Sequence, residues 1–179
     1  MFKKILLLAV MAVLLTTTAY AQKLTSSDGV YTLEIPDSWT VKHTQGYIFD
    51  VTDPSGIIAC SFSDNPPIPE LAEFKSFAEI PAVFKSQFVK GFEESFQESF
   101  VSQGFQVVSG STDFDGNYFR SSHKVLIKGV EFEVEGLFFL RYGKIYTIML
   151  LGKDGVAPAA EVAATLKANG KPFEKWLAR

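Results

Sequence analysis

Cysteine is nearly absent: Cys60 is the only one in 179 residues. No intramolecular disulfide can form, so the fold rests on packing in whatever redox compartment it occupies. Histidine is almost as scarce, with only His43 and His123. That excludes a site built on three imidazoles, and a two-histidine metal site would need a carboxylate brought in by the fold. Acidic residues outnumber basic ones, 20 to 17, for a net charge of −3. The clustered basic surface that nucleic acid requires is missing. The chain also lacks a Gly-rich phosphate loop and a Gly-x-Ser-x-Gly elbow. No apolar run reaches the roughly 20 residues of a membrane span, and no repeat, low-complexity tract or linker divides the chain.

The longest apolar run, Ile5 to Leu15, follows Lys3 and Lys4 and precedes Ala19-Tyr20-Ala21. A short charged segment, about eleven apolar residues and a small-x-small site make a secretory leader, with cleavage placed after Ala21. No cysteine follows the run where a lipid anchor would attach. Residues 1–21 are therefore read as a cleaved signal peptide and residues 22–179 as a single α+β domain. The expected location is the periplasm or the extracellular space, without stable membrane insertion. Loss of the two leader lysines moves the net charge from −3 to −5.

What the chain has in quantity is phenylalanine, 17 residues, and five of them fall at every fourth position: Phe84, Phe88, Phe92, Phe96 and Phe100. At about 100° per residue these sweep a band about 160° wide along a helix. Gly91, Ser95 and Ser99 are expected within that arc, letting the backbone sit close to a sheet while the rings wrap its edges. The helix is predicted from near Pro81 to about Ser102, where Gly104 stops it. A preceding helix is predicted over 70–79, with Leu71, Phe74 and Ala78 on one side.

The remainder reads as strand. Residues 30–35 alternate at period two before the Pro36–Trp39 corner, and 40–43 continue briefly. Residues 47–51 and 57–62 form a hairpin around Asp53-Pro54-Ser55-Gly56. Further on, 105–109, 118–127, 130–141 and 145–151 are strands, with turns at Asp115-Gly116, Lys128-Gly129 and Tyr142-Gly143-Lys144. A two-residue loop at Lys128-Gly129 sets Ile127 opposite Val130, Val125 opposite Phe132 and His123 opposite Val134 on one face. Lys124 then meets Glu133 on the other, beside Glu131 and Glu135. Leu137-Phe138-Phe139-Leu140 and Ile148-Met149-Leu150-Leu151 are apolar on both faces and need cover on both. The second cover is assigned to a helix over 159–168 carrying Ala159, Val162, Ala163 and Leu166, ended by Asn169-Gly170. Phe173, Trp176 and Leu177 add one more apolar turn. The fold class is α+β: a mostly antiparallel β-sheet flanked by helices, an α/β/α sandwich.

The opening Gly29-Val30-Tyr31-Thr32-Leu33-Glu34-Ile35-Pro36-Asp37-Ser38-Trp39 resembles the strand, Pro, two residues, Trp beginning of the PsbP-like (Mog/PsbP) superfamily. The ending, where Gly143-Lys144-Ile145-Tyr146 leads into the last long strand and a terminal helix, resembles it too. The resemblance implies the fold just described, and a binding, assembly or accessory role rather than catalysis. It transfers no site residues.

Cys60 lies in the apolar run Ile57-Ile58-Ala59-Cys60 and is expected to be buried and inert, lacking the electropositive setting of a reactive thiol. His123 shares a face with Val125 and Ile127, the place of a structural imidazole. Asp113-Phe114-Asp115-Gly116-Asn117 is oxygen-rich but lacks the third acid and terminal Glu of a calcium loop, and is read as a hairpin turn. No metal, cofactor or catalytic residue is assigned. The leading expectation is a non-enzymatic binding or accessory protein of the cell envelope, its partner another envelope protein. The alternative is a carrier of a small hydrophobic ligand held against Phe88, Phe92 and Phe96; an enzyme with an unrecognised site comes third. Cleavage after Ala21 makes Gln22 the first residue of the exported protein. N-terminal sequencing of secreted material checks this, and a chain still beginning at Met1 would contradict it.

Overall fold

A computed structural model of the chain describes residues 20–102, 104–115 and 118–177. The expected leader lies outside them, except that Tyr20 and Ala21 open the first strand. β1 (Tyr20–Thr25) and β2 (Tyr31–Pro36) form a hairpin. The short β10 (Lys167–Ala168) and β11 (Lys171–Pro172) extend it to a four-stranded sheet of order β1-β2-β10-β11. The larger sheet contains β3 (Thr40–Val41), β4 (Phe49–Thr52), β5 (Ala59–Asp64), β6 (Gln106–Asp115), β7 (Tyr118–Ile127), β8 (Val130–Arg141) and β9 (Lys144–Gly152). Its order is β3-β4-β5-β9-β8-β7-β6, antiparallel throughout. One face carries the long helix α1 (Ala82–Ser102). The other carries α2 (Ala157–Ala163), α3 (Phe173–Leu177) and the small sheet.

The β7–β8 register is the predicted one. Ile127 faces Val130, Val125 faces Phe132, His123 faces Val134 and Lys124 faces Glu133. Lys128 and Gly129 both have positive φ, as a two-residue type I′ turn requires. The ion pairs on the solvent face run partly diagonally, Lys124 to Glu131 at 3.1 Å and Arg120 to Glu135 at 2.9 Å. Alternation then divides the core. Phe49, Val51, Cys60, Phe62, Phe139, Tyr146, Ile148 and Leu150 meet Tyr31, Leu33 and Ile35 of β2 and the buried residues of α2 and α3. Phe119, Val125, Val134 and Leu140 face the α1 side. At the sheet's end, Tyr31 donates its hydroxyl to Asp64 at 2.9 Å, Lys144 pairs with Asp64 at 2.6 Å, and the Arg141 guanidinium lies 4.3 Å from the Trp176 ring centre. These contacts fasten β2 and α3 to the large sheet. Burial and the Asp64 hydrogen bond push the Tyr31 hydroxyl well above its usual pKa.

Three predictions about elements fail, each because a tertiary contact claims a backbone group. The helix over 70–79 is instead two 3₁₀ turns, Pro69–Leu71 and Phe77–Glu79. Between them the Lys75 amide donates to Glu79 Oε2 at 2.7 Å, and the Phe74 carbonyl accepts from Tyr142 N at 3.0 Å. The helix over 159–168 stops at Ala163, and Lys167–Ala168 pairs with β2. Asn169-Gly170 then makes a hairpin turn, both φ positive, rather than a helix end. β1 and most of β6, predicted only over 105–109, belong to the same class of omission. β1 is marked by little in its own residues and is held by backbone pairing along one edge of β2.

The phenylalanine band is also placed differently. Successive fourth residues advance about 40° around the helix, so the band winds and cannot all face one way. Phe96 sits at the centre of the contact and is buried; Phe88, Phe92 and Phe100 are half-buried; Phe84 is 58% exposed. Gly91, Ser95 and Ser99 fall on the exposed side, and a Cβ on Gly91 would meet nothing within 4 Å. The small residues therefore do not bring the helix to the sheet. Close approach is made by rings instead: Phe119, wholly buried, has Phe77, Phe88, Phe92, Phe114 and Phe138 around it with centroids 5.0–6.3 Å away. Phe119→Ala is expected to cost about 3–5 kcal/mol, and Phe84→Ala no more than about 0.5 kcal/mol. Urea denaturation of both variants checks this; equal losses would contradict the placement of the helix.

Candidate functional site

β5 decides where the α1 layer is incomplete. In Ala59-Cys60-Ser61-Phe62-Ser63-Asp64, Cys60 and Phe62 enter the core shared with β2. Period two then sends Ala59, Ser61 and Ser63 to the α1 face, where short side chains leave space. Cross-strand neighbours on β9 continue that face: Leu151 opposite Ala59, Met149 opposite Ser61 and Thr147 opposite Ser63. The next row inward on β8 is Val134, Gly136 and Phe138. The rings of α1 pack on β6, β7 and β8, through Phe114, Phe119, Val125, Val134 and Phe138. Beside β5 they stand as a wall, not a lid.

The result is a cleft of about 520 Å³ between α1 and β5, within the range of small-molecule sites. Its wall is Phe92, Phe96 and Phe100, with Phe92–Phe96 and Phe96–Phe100 stacked at centroid distances of 5.8 and 4.2 Å. Its floor is Ala59, Ser61, Ser63, Thr147, Met149 and Leu151. Of the three predicted ligand-contacting residues, Phe92 and Phe96 line the cleft. Phe88 does not: it is turned into the ring cluster, 5.4 Å from Phe77 and 5.1 Å from Phe119.

The polar part of the site was not foreseen. Asn65 Nδ2 donates to the Ile145 carbonyl and to Thr147 Oγ1, both at 3.0 Å. Ser61 Oγ donates to Asp50 Oδ1 at 2.8 Å, and Thr44 Oγ1 bonds the other oxygen of Asp50. The signal for this floor was present in β5, whose odd positions are all short while Cys60 and Phe62 between them are core residues. It is easily missed, because serine on a strand normally marks a solvated face.

Behind the wall sits His123, whose ring stacks on Phe96 at 4.1 Å and 22°. Its Nε2 lies 2.6 Å from Ser121 Oγ, and its Nδ1 is buried without a partner among the described residues. The ring lies over Gly110 of β6, where a Cβ would come within 1.9 Å of Nδ1. A glycine inside a strand is a marker of such close approach. Cys60 points to the opposite core, wholly buried, and burial, with Asp50 adding, pushes its thiol pKa up to about 12. His43 is exposed. Among the described residues no group of three His, Cys, Asp or Glu side chains is placed to hold a metal ion. Gly116 and Asn117 of the oxygen-rich loop lie outside them.

Burial holds the His123 pKa below its ordinary 6.5, and the charge of Glu93 on α1 only partly offsets this. The unfolded chain therefore takes up a proton at this residue more readily than the folded one. Stability is full above pH 6.5 and is lost as pH falls through the lower folded pKa. His123→Phe keeps a ring under Phe96 and removes the titration. Denaturation midpoints between pH 7.5 and 5 are expected to fall less steeply for this variant than for the wild type; parallel slopes would contradict the assignment.

A scan against protein-family models and a search of curated proteins find no match. Among solved structures, PsbP (CyanoP) of the cyanobacterium Synechocystis superposes with a TM-score of 0.52 at 15% identity, covering 82% of this chain and 91% of that one. A Bacteroides thetaiotaomicron protein gives 0.49 at 13% identity, covering 83% of this chain but 48% of the other. LpqN of Mycobacterium tuberculosis, a protein involved in cell envelope biogenesis, gives 0.34 at 14% identity over 79% and 85% of the two chains. At these identities the likeness concerns architecture: this chain has the PsbP-like fold that its Pro36–Trp39 corner and Gly143–Tyr146 segment suggested.

Proposed function

We propose that this chain is an exported, non-enzymatic binding protein that carries a small, largely apolar molecule in the cleft between α1 and β5. The observation that carries the reading is the cleft itself. A helix bearing five phenylalanines crosses a sheet face and leaves about 520 Å³ beside the rings, over a strand with short side chains. A core element with no other purpose would fill that space, since interiors pack at close to crystalline density. Export is supported by the leader pattern at residues 1–21. Among the described residues no helix is long and apolar enough to cross a membrane.

Docking of another envelope protein would ask for a contiguous exposed apolar patch. The exposed apolar residues of α1 are Val83 and Phe84 at one end and Val101 at the other, about 25 Å apart at 1.5 Å per residue. The cleft is the stronger feature.

Titration with the neutral apolar fluorophore N-phenyl-1-naphthylamine tests the reading on the mature protein. Saturable binding is expected, and Ser61→Leu, which fills the middle of the floor, should weaken it at least about tenfold with an unchanged melting temperature. Absence of saturable binding, or equal binding by a folded Ser61→Leu variant, would overturn the proposal.

A further inference from the structure

The cleft is graded along its length and has no charge. None of the described residues lining it is Lys, Arg, His, Asp or Glu. At one end the rows across β5, β9 and β8 read Ala59, Leu151, Val134, beside Phe96 and Phe100. Two rows on they read Ser63, Thr147, Phe138, and Asn65 lies just beyond. The distance from Ala59 to Asn65 is about 20 Å at the rise of an extended strand. The outline is that of an extended chain with an apolar tail and a polar head, not of a compact ring system.

The head end offers hydrogen bonds without a counter-charge. Thr147 Oγ1 accepts from Asn65 Nδ2, so its own proton is left to donate. Asn65 keeps its carbonyl oxygen as an acceptor, and Ser63, buried at 6% exposure, bonds no other described side chain. A hydroxyl or an amide N–H group can satisfy such a set from both sides. A carboxylate cannot use the acceptor, and no cation compensates its desolvation. A negative charge moreover stands at the floor: Asp50 accepts from Ser61 in its middle.

We propose, resting on the carrier reading above, that the ligand class is a single-chain neutral amphiphile. Its tail runs along Phe96, Phe100 and Leu151, and its uncharged head meets Ser63, Asn65 and Thr147. Free fatty-acid anions are discriminated against by the missing cation and by Asp50.

The test compares two probes of equal chain length, 1-monopalmitoylglycerol and palmitate, at pH 8 and below their micellar concentrations. Each displaces N-phenyl-1-naphthylamine from the mature protein. Monopalmitoylglycerol is expected to bind at least about tenfold more tightly. Ser63→Ala is expected to narrow that gap several-fold, each probe being scaled to the fluorophore affinity of the same variant. Equal affinities, or tighter binding of palmitate, would overturn the neutral-head assignment and leave the carrier reading standing. Failure of the fluorophore itself to bind would instead remove the carrier reading.

Discussion

The central strands β8 and β9 are apolar on both faces, and the rest of the molecule follows from covering them. Leu137 and Phe139 point one way while Phe138 and Leu140 point the other, and Ile148 and Leu150 oppose Met149 and Leu151. No single layer can remove both faces from water. At about 25 cal/mol per Å² of apolar surface, leaving either face open would forfeit an amount comparable to the net stability of a domain. Two covers are therefore obligatory, and they are built differently.

On one side the cover is complete. The β1–β2 hairpin, α2 and α3 close over the sheet with interlocking side chains, and Tyr31, Phe62, Phe173, Tyr146 and Trp176 meet edge to face or stacked. The capture of Lys167–Ala168 as a strand beside β2 belongs to this closure. It places Leu166 and Ala168 in the core and gives the inner edge of β2 a partner. On the other side one helix does the covering alone. A helix with its side chains is about 10 Å wide, whereas the seven strands span several times that at about 4.8 Å each. α1 lies over β6, β7 and β8, and β5 is left with short residues and an open cleft. The asymmetry between a finished core and an unfinished one is what opens the cleft beside β5.

The cleft and the core meet at Phe96. One side of its surroundings is the cleft, the other the buried His123–Ser121 pair over Gly110. A wall that also stacks on a buried imidazole is held in one orientation, which suits a preformed site. Burial lowers the pKa of that imidazole from its ordinary value.

Much of this was legible in the residues themselves. The two-faced strands, the Lys128-Gly129 turn and the β7–β8 register follow from period two and the steric demand of positive φ, both local properties. The long helix follows from its phenylalanine spacing in the same way. Where two local codes compete, the sequence is silent. Asn169-Gly170 suits a helix end and a hairpin turn equally, and the free edge of β2 decides between them. Leu71, Phe74 and Ala78 suit a helix, and the Tyr142 and Glu79 hydrogen bonds take its backbone groups. Likewise the sequence shows that phenylalanine rings must be buried, but the rotation of α1 about its axis sets which ones. That rotation, and the strand it fails to reach, are properties of packing between elements distant in the chain, and they turned a core helix into one wall of a cleft.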